Sequence, residues 1–240
     1  MRLYYSILIL ITSLLTTHFA QAAVLNFGIT DSLPYSSVDG SGIADRIIKE
    51  ALRREGIDAK FTIMPSERSL TNANEGIIDG EYIRIEGLQN TYTNLIMVPE
   101  SVCNYDFTAF SRDPGIKING WKSLAPYNVA FITGWKILEK NVEFSKSLTK
   151  VKNAQILFDL LANDRVDIVL IEKEQGELLI KQQRLQNMHA LQPPLATRKM
   201  YLYLNKKHSA LAPGIAQQLL KMKRDGSIAR ITAEVLGKAR

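Results

Sequence analysis

Twice along the chain, a short apolar run leads through a turn into a helical window and then into another apolar run. This order constrains the fold more than any other feature. Alternating strand and helix patterns are satisfied by a parallel sheet flanked by helices. The first half opens with the strand Val24-Leu25-Asn26-Phe27-Gly28-Ile29. Proline and small polar residues then break the pattern at Thr30-Asp31-Ser32-Leu33-Pro34-Tyr35, which reads as a loop. Ile43, Ile47, Ile48, Ala51 and Leu52 recur on one helical face, and Gly56 supplies a stop. Residues 59–64 alternate as a second strand, 69–75 suit a helix stopped by Gly76, and 77–81 return to a strand register.

The second half repeats the order. Asn128-Val129-Ala130-Phe131-Ile132 is a strand that meets Thr133-Gly134-Trp135 and a helix-like run. Residues 153–162 form an amphipathic helix with Ile156, Leu157, Leu160 and Leu161 on it. After the Asn163-Asp164-Arg165 break, 166–171 read as a buried strand. The tail adds a strand at 200–204, a helix at 212–223, a turn at Asp225-Gly226 and a last helix at 227–236. No detailed sequence repeat relates the halves, and no Gly/Ser-rich or Pro-rich linker separates them. The strands themselves are therefore expected to cross between two lobes, near 107–111 and 197–201.

The N-terminus carries Met1-Arg2, an apolar run over 7–15 and then Ala20-Gln21-Ala22. A basic end, an apolar core and small residues at −3 and −1 make a cleavable secretory signal, with cleavage expected after Ala22. The run is shorter than the ~20 apolar residues of a spanning helix, and no later segment is apolar for long enough. Cys103 is the only cysteine. No cysteine stands at the cleavage site to carry a lipid, so the expectation is a free periplasmic protein and not a lipoprotein. A single cysteine allows no internal disulfide, and Cys103 reads as a small buried apolar residue. Loss of Arg2 with the signal lowers the net charge from +6 to +5, a mild excess with acids interspersed. The basic clusters at 206–208 and 221–224 read as solvated faces, since neither is joined to aromatic or glycine-rich nucleic-acid motifs.

The order strand, Pro34-Tyr35, helix, strand, Pro65-x-x-Arg68, helix, Gly76-x-x-Asp79-Gly80 is similar to the first lobe of the amino-acid-type periplasmic binding proteins. These are the family-3 extracellular solute-binding proteins. Val129-Ala130-Phe131-Ile132-Thr133-Gly134 resembles the strand and turn that open their second lobe. Leu157-x-x-Leu160-Leu161-Ala162-x-x-Arg165-Val166-Asp167 resembles the helix, turn and strand before their ligand carboxylate. Lys223-x-Asp225-Gly226-Ser227-Ile228 resembles their closing helix. The resemblance spans nearly the whole mature chain. It implies the two-lobed type II periplasmic-binding fold, an α/β architecture in which each lobe is a mainly parallel sheet flanked by helices. The implied lobes are 23–109 plus 200–240, and 110–199, with 1–22 removed as the signal.

A cleft protein of this kind replaces a polar solute's water with matched partners, because a buried unpaired charge costs several kcal/mol. An arginine forks onto a carboxylate and a facing acid holds an ammonium group. Arg84, near the end of the third strand, and Arg68, where a loop enters a helix, are the candidates for the first role. The family's Thr-x-x-Arg motif for the ligand α-carboxylate is absent here, and Glu81-Tyr82-Ile83 precede Arg84 instead. Glu172, the first polar residue past the 166–171 strand, stands where the resembled proteins carry the acid for the ligand ammonium. Asp31 and Tyr35 frame the first loop, with the Tyr35 ring placed to pack on the ligand. Thr133, Gly134 and Trp135 are placed to close the second lobe's wall, and Tyr82 is a further contact.

Enzyme signatures are missing: His18, His189 and His208 make no metal or Ser-His-Asp set, and no Walker or Gly-x-Gly-x-x-Gly loop occurs. The expected protein is therefore a non-enzymatic solute binder without cofactor or metal. It would clamp a small polar, carboxylate-bearing ligand, an amino acid first among them. It would be a monomer serving a separate permease of ABC type or a separate membrane sensor, with no nucleic acid involved. Two alternatives use the same fold. One is a periplasmic dehydratase-like enzyme with Glu81/Arg84 or Glu172/Arg84 as its working pair. The other is a binder of a protein partner.

Overall fold

The computed structural model describes residues 23–239, and the expected signal at 1–22 lies outside the described residues. The chain runs β1 (Ala23–Ile29), α1 (Ile43–Arg54), β2 (Ile57–Ile63), α2 (Ser66–Glu75) and β3 (Gly80–Arg84). Two further strands follow, β4 (Leu95–Met97) and β5 (Cys103–Ser111). It continues through β6 (Asn128–Ile132), α3 (Lys136–Asn141), β7 (Ser147–Val151), α4 (Ala154–Ala162), β8 (Ile168–Glu172) and α5 (Lys173–Gln182). After β9 (His189–Ala190) and β10 (Ala196–Asn205), α6 (Ala212–Arg224) and α7 (Ser227–Ala239) complete it.

Two parallel trios result, β2-β1-β3 and β8-β6-β7. Antiparallel strands join them. Residues 201–204 of β10 pair with β3, and residues 196–200 pair with β5. Strand β5 in turn pairs with β8 through 107–110. A single strand thus belongs to the first sheet at one end and to the second at the other. The α1 face expected from spacing is the one that packs: Ile43, Ile47, Ile48, Ala51 and Leu52 are all buried. Each isoleucine or leucine among them contributes about 1.5–3 kcal/mol relative to exposure. Phe110, Leu157, Phe158 and Leu161 fill a second core, between α4 and its sheet.

The structure moves several boundaries. Helix α2 starts at Ser66 rather than 69, because Pro65 carries φ −56° at the cap and accepts the first turn's bond from Ser69 N. Strand β3 starts at Gly80 rather than 77. Gly76 ends α2 in the left-handed region at φ 76°, and the N–H groups of Ile77 and Ile78 both return to Asn72 O. The two isoleucines thus close a helix instead of opening a strand. Strand β8 is shifted towards its C-terminus and includes Glu172 as its last residue. Strand β10 has ten residues, since it serves both sheets. The strands β4, β7 and β9 carry no apolar run long enough to announce them. Cys103 is only partly covered, at the start of β5.

One device recurs in both halves. Asn26 of β1 donates its backbone N–H and its amide to Asp79 Oδ2, at 2.8 and 3.2 Å, just before the parallel neighbour β3 begins. Asn128 of β6 does the same to Asp167 Oδ2, at 2.7 and 2.9 Å, just before β8. Asp79 ties the start of β3 to the middle of β1, and Asp167 ties the start of β8 to the start of β6. The expectation of a merely solvated Lys207 and His208 is corrected here, since both reach Asp79 Oδ1, at 2.8 and 2.7 Å. Burial would raise the Asp79 pKa. Hydrogen bonds from Asn26, Lys207 and His208 outweigh it and hold the carboxyl below its usual range.

Asp79 is buried and takes four donors, whereas Asp167 is exposed and its Asn128 partner can turn to water. Asp79→Ala should therefore cost about 2–3 kcal/mol in urea unfolding and Asp167→Ala about 1 kcal/mol. Equal costs would show that burial of the aspartate is not what sets its worth.

Candidate functional site

A cavity of about 700 Å³, its open mouth included, lies where the carboxyl ends of the parallel strands from both sheets face each other. Gly28 and Ile29 of β1, Tyr82 and Arg84 of β3, and Ile132, Gly134 and Trp135 after β6 line it. Tyr105 and Phe107 of β5 give it an aromatic floor. Trp135 stands edge-on to Phe107, with ring centroids 5.8 Å apart at 88°.

Arg84 is 8% exposed and fully engaged. Its Nη2 donates to Glu81 Oε2 and to Ser66 O, both at 2.6 Å. Its Nη1 donates to Ser66 Oγ at 2.9 Å and to Gly134 O at 3.1 Å. The last bond crosses from β3 to the loop after β6. In a regular strand, residues 81 and 84 would point to opposite faces. Here Tyr82 faces Leu202 and Arg84 faces Tyr201, so Ile83 is an extra residue on β3. Ile83 carries φ 62°, an unfavourable conformation for a β-branched side chain. The bulge turns Arg84 to the Glu81 face and lets the ion pair form.

Gly134 makes the crossing possible. It sits at φ 88°, and a Cβ there would lie 2.7 Å from Glu67 N and 3.1 Å from Ser66 Oγ. Its own N–H donates to Glu139 Oε1 at 3.0 Å. Gly28 plays a similar part on the other side, since a Cβ would lie 2.4 Å from Ser69 Oγ.

Three buried side-chain atoms among the described residues lack a hydrogen-bond partner: Ser69 Oγ, Glu81 Oε1 and Gln175 Oε1. All three belong to residues that line this one cavity. The Ser69 hydroxyl is near enough to ease the charge on Glu81, but no hydrogen bond joins them. Burial raises the Glu81 pKa, against the opposing pull of the Arg84 guanidinium. Leaving a buried polar atom unpaired costs about 1–3 kcal/mol, so three in one place mark a site built for something else to complete.

The expected residues are placed unevenly. Arg84, Tyr82, Gly134 and Trp135 line the cavity. Arg68 and Asp31 are exposed and do not line it, because Arg68 falls on the outer face of α2 and Asp31 on the outer side of its loop. Thr133 is half-buried and its backbone N–H is taken by Val151 O, so it stays behind the wall. Tyr35 and Glu172 lie deeper, bonded to each other. Glu172 is neither past its strand nor solvated, being 1% exposed. Ser66, Ser69 and Gln175 were not anticipated. The two serines share a face of α2 at a spacing of three, and Gln175 follows the cap residue of α5 by three.

No family model matches the chain. A protein of Shewanella oneidensis described as uncharacterized is 29% identical over 202 residues, covering 78% of this chain and 73% of its own length. Solved structures align over almost everything described. The GluR0 ligand-binding core in complex with L-glutamate has a TM-score of 0.79 at 14% identity, over 90% of this chain and 100% of that one. A histidine kinase sensor domain with similarity to periplasmic binding proteins has 0.78 at 18%, over 90% and 96%. A mutant of ArgBP from T. maritima has 0.76 at 16%, also over 90% and 96%. The fold is that of the periplasmic binding proteins.

Within this fold, a second buried polar contact between the two halves runs from Tyr35 to Glu172. Tyr35 Oη donates to Glu172 Oε1 at 3.1 Å, and Gln175 N donates to Oε2 at 2.8 Å as the helix cap of α5. The Tyr35 ring lies 4.6 Å from that of Tyr105. Tyr82 is anchored separately, donating to Asp45 Oδ1 at 2.6 Å. Burial pushes the Glu172 pKa up to about 7 despite the hydrogen bonds from Gln175, Glu174 and Tyr35, and the charge of Glu174 adds to the rise.

From about pH 4.5, its ordinary value, to about 7, folded Glu172 keeps a proton that the unfolded chain has lost. Its contribution to stability is complete at the acid end and falls away as pH rises through 7, by ~3 kcal/mol at most. Glu172→Gln should remove that slope. Melting curves of both proteins from pH 5 to 8 check this, and parallel curves would place the titration elsewhere.

Proposed function

We propose that the protein is a solute-binding protein of the periplasm, which closes two lobes over a small polar molecule and releases it unchanged. The lobes are 23–109 plus 200–240, and 110–199, with the chain exported by a signal cleaved after Ala22. The observation that carries this reading is the set of unpaired atoms in one cavity, contributed by α2 and β3 on one side and α5 on the other. A cleft with a few convergent polar groups and an apolar lining suits a small ligand. Solved structures of this fold include substrate-binding proteins of amino acid ABC transporters and a histidine kinase sensor domain, which support delivery to a separate permease or sensor as the purpose.

Catalysis has less support. Glu172, whose pKa near neutrality suits a general acid, does not line the cavity. Glu81, which does, is locked to Arg84 at 2.6 Å.

A thermal-shift panel of amino acids, amines, organic acids and short peptides on residues 23–240 tests the reading. A ligand at 100 times its Kd adds ~2.7 kcal/mol and raises the Tm visibly. The expected result is stabilisation by one chemical class, with the compound recovered intact. Conversion of the compound to product would replace a binder by an enzyme.

Closure itself can be tested. Gly134→Ala places a Cβ against the α2 backbone, so it should weaken that ligand at least tenfold while leaving the chain folded. Unchanged affinity would mean that the Gly134 contact is not part of the bound state.

A further inference from the structure

Arginine offers five N–H groups, two on each terminal nitrogen and one on Nε. In Arg84 the four terminal ones are spent on Glu81, Ser66 and Gly134. A carboxylate could fork onto this guanidinium only by displacing acceptors already held in place by the same chain, among them Glu81, which is 1% exposed. The atoms left over have the opposite need. Glu81 Oε1 and Gln175 Oε1 can accept but not donate, and Ser69 Oγ can do either. A carboxylate brings no donor to them and meets the charge of Glu81. An ammonium group brings three donors and a positive charge.

We infer that the cavity selects its ligand by a protonated amine held on Glu81, Ser69 and Gln175, and that a ligand carboxylate is dispensable. This rests on the solute-binding reading above and narrows it. Glu81 has two tasks at once. Oε2 neutralises Arg84, which braces the cleft, and Oε1 is held out for the ligand. Glu172, the acid expected to meet the ammonium, is occupied by Tyr35 and the α5 backbone and stays behind the wall.

The test uses matched compounds in calorimetric titrations: ornithine and putrescine, arginine and agmatine, serine and ethanolamine, glutamate and γ-aminobutyrate. The amine-free acids valerate, glycolate and glutarate complete the set. For at least one pair, the amine lacking the α-carboxylate should bind within tenfold of its amino acid, and no amine-free acid should bind. Gln175→Met removes an acceptor on which no protein group depends, so the fold should keep its Tm while amine affinity drops at least fivefold. Glu81→Gln should drop it at least thirtyfold. Should that variant unfold for want of an Arg84 partner, the Gln175→Met result decides alone.

Binding of an amine-free acid, loss of more than a hundredfold on removing the carboxylate from every binding amino acid, or unchanged amine affinity in Gln175→Met would each overturn the inference and leave the solute-binding reading standing. Silence from every compound, amines and acids alike, would overturn both.

Discussion

A guanidinium cannot be buried without acceptors, and much of the cleft is arranged around meeting that condition for Arg84. Its acceptors come from three places: Glu81 on its own strand, Ser66 at the start of α2, and the Gly134 carbonyl after β6. Removing any one of them would leave part of a positive charge unpaired in a region that excludes water. The same side chain therefore fixes the end of β3, seats the first turn of α2 and draws the second sheet's loop against the first.

The backbone bears the cost of that arrangement. Ile83 occupies a left-handed conformation that few β-branched residues adopt, and it does so where β3 carries one residue more than β10 opposite. Strain of this kind persists only where surrounding contacts over-determine it. Here they do: the Tyr82 hydroxyl is fixed on Asp45, and the Arg84 guanidinium is fixed across the cleft. Gly134 adds the second condition, a residue small enough for the two backbones to meet. Strands β5 and β10 join the two sheets through backbone pairing.

The resemblance carried the fold, and four of the residues it led to, Tyr82, Arg84, Gly134 and Trp135, line the cavity. The strands with continuous apolar runs, β1 and β6, and the α1 stripe were legible because periodicity reports burial directly. Boundaries slipped where a residue was claimed by hydrogen bonding instead. Ile77 and Ile78 look like a strand and close a helix, and Asp79 and Asp167, which read as part of their strands, stand just before them and tie neighbouring strands together. Arg84 was legible as a polar residue at a strand end. That its partner would be Glu81 was not, because the two should lie on opposite faces and only the Ile83 bulge unites them. Arg68 shows the reverse, with a suggestive motif and a side chain that helical phase turns outward.

The sequence by itself determined the layers of this protein: that strands and helices alternate, where the main ones among them lie, which face of α1 is buried, and that two βα units stand in series. These follow from local periodicity and need no partner. Only the tertiary structure decided which polar groups are spent and which are left open. Whether Arg84 grips a ligand or a neighbour, whether Glu172 meets solvent or Tyr35, and whether Glu81, Ser69 and Gln175 share a cavity depend on atoms separated by as many as 137 residues. Hydrogen-bond capacity is finite and is allotted in space, so no reading along the chain can say where it remains.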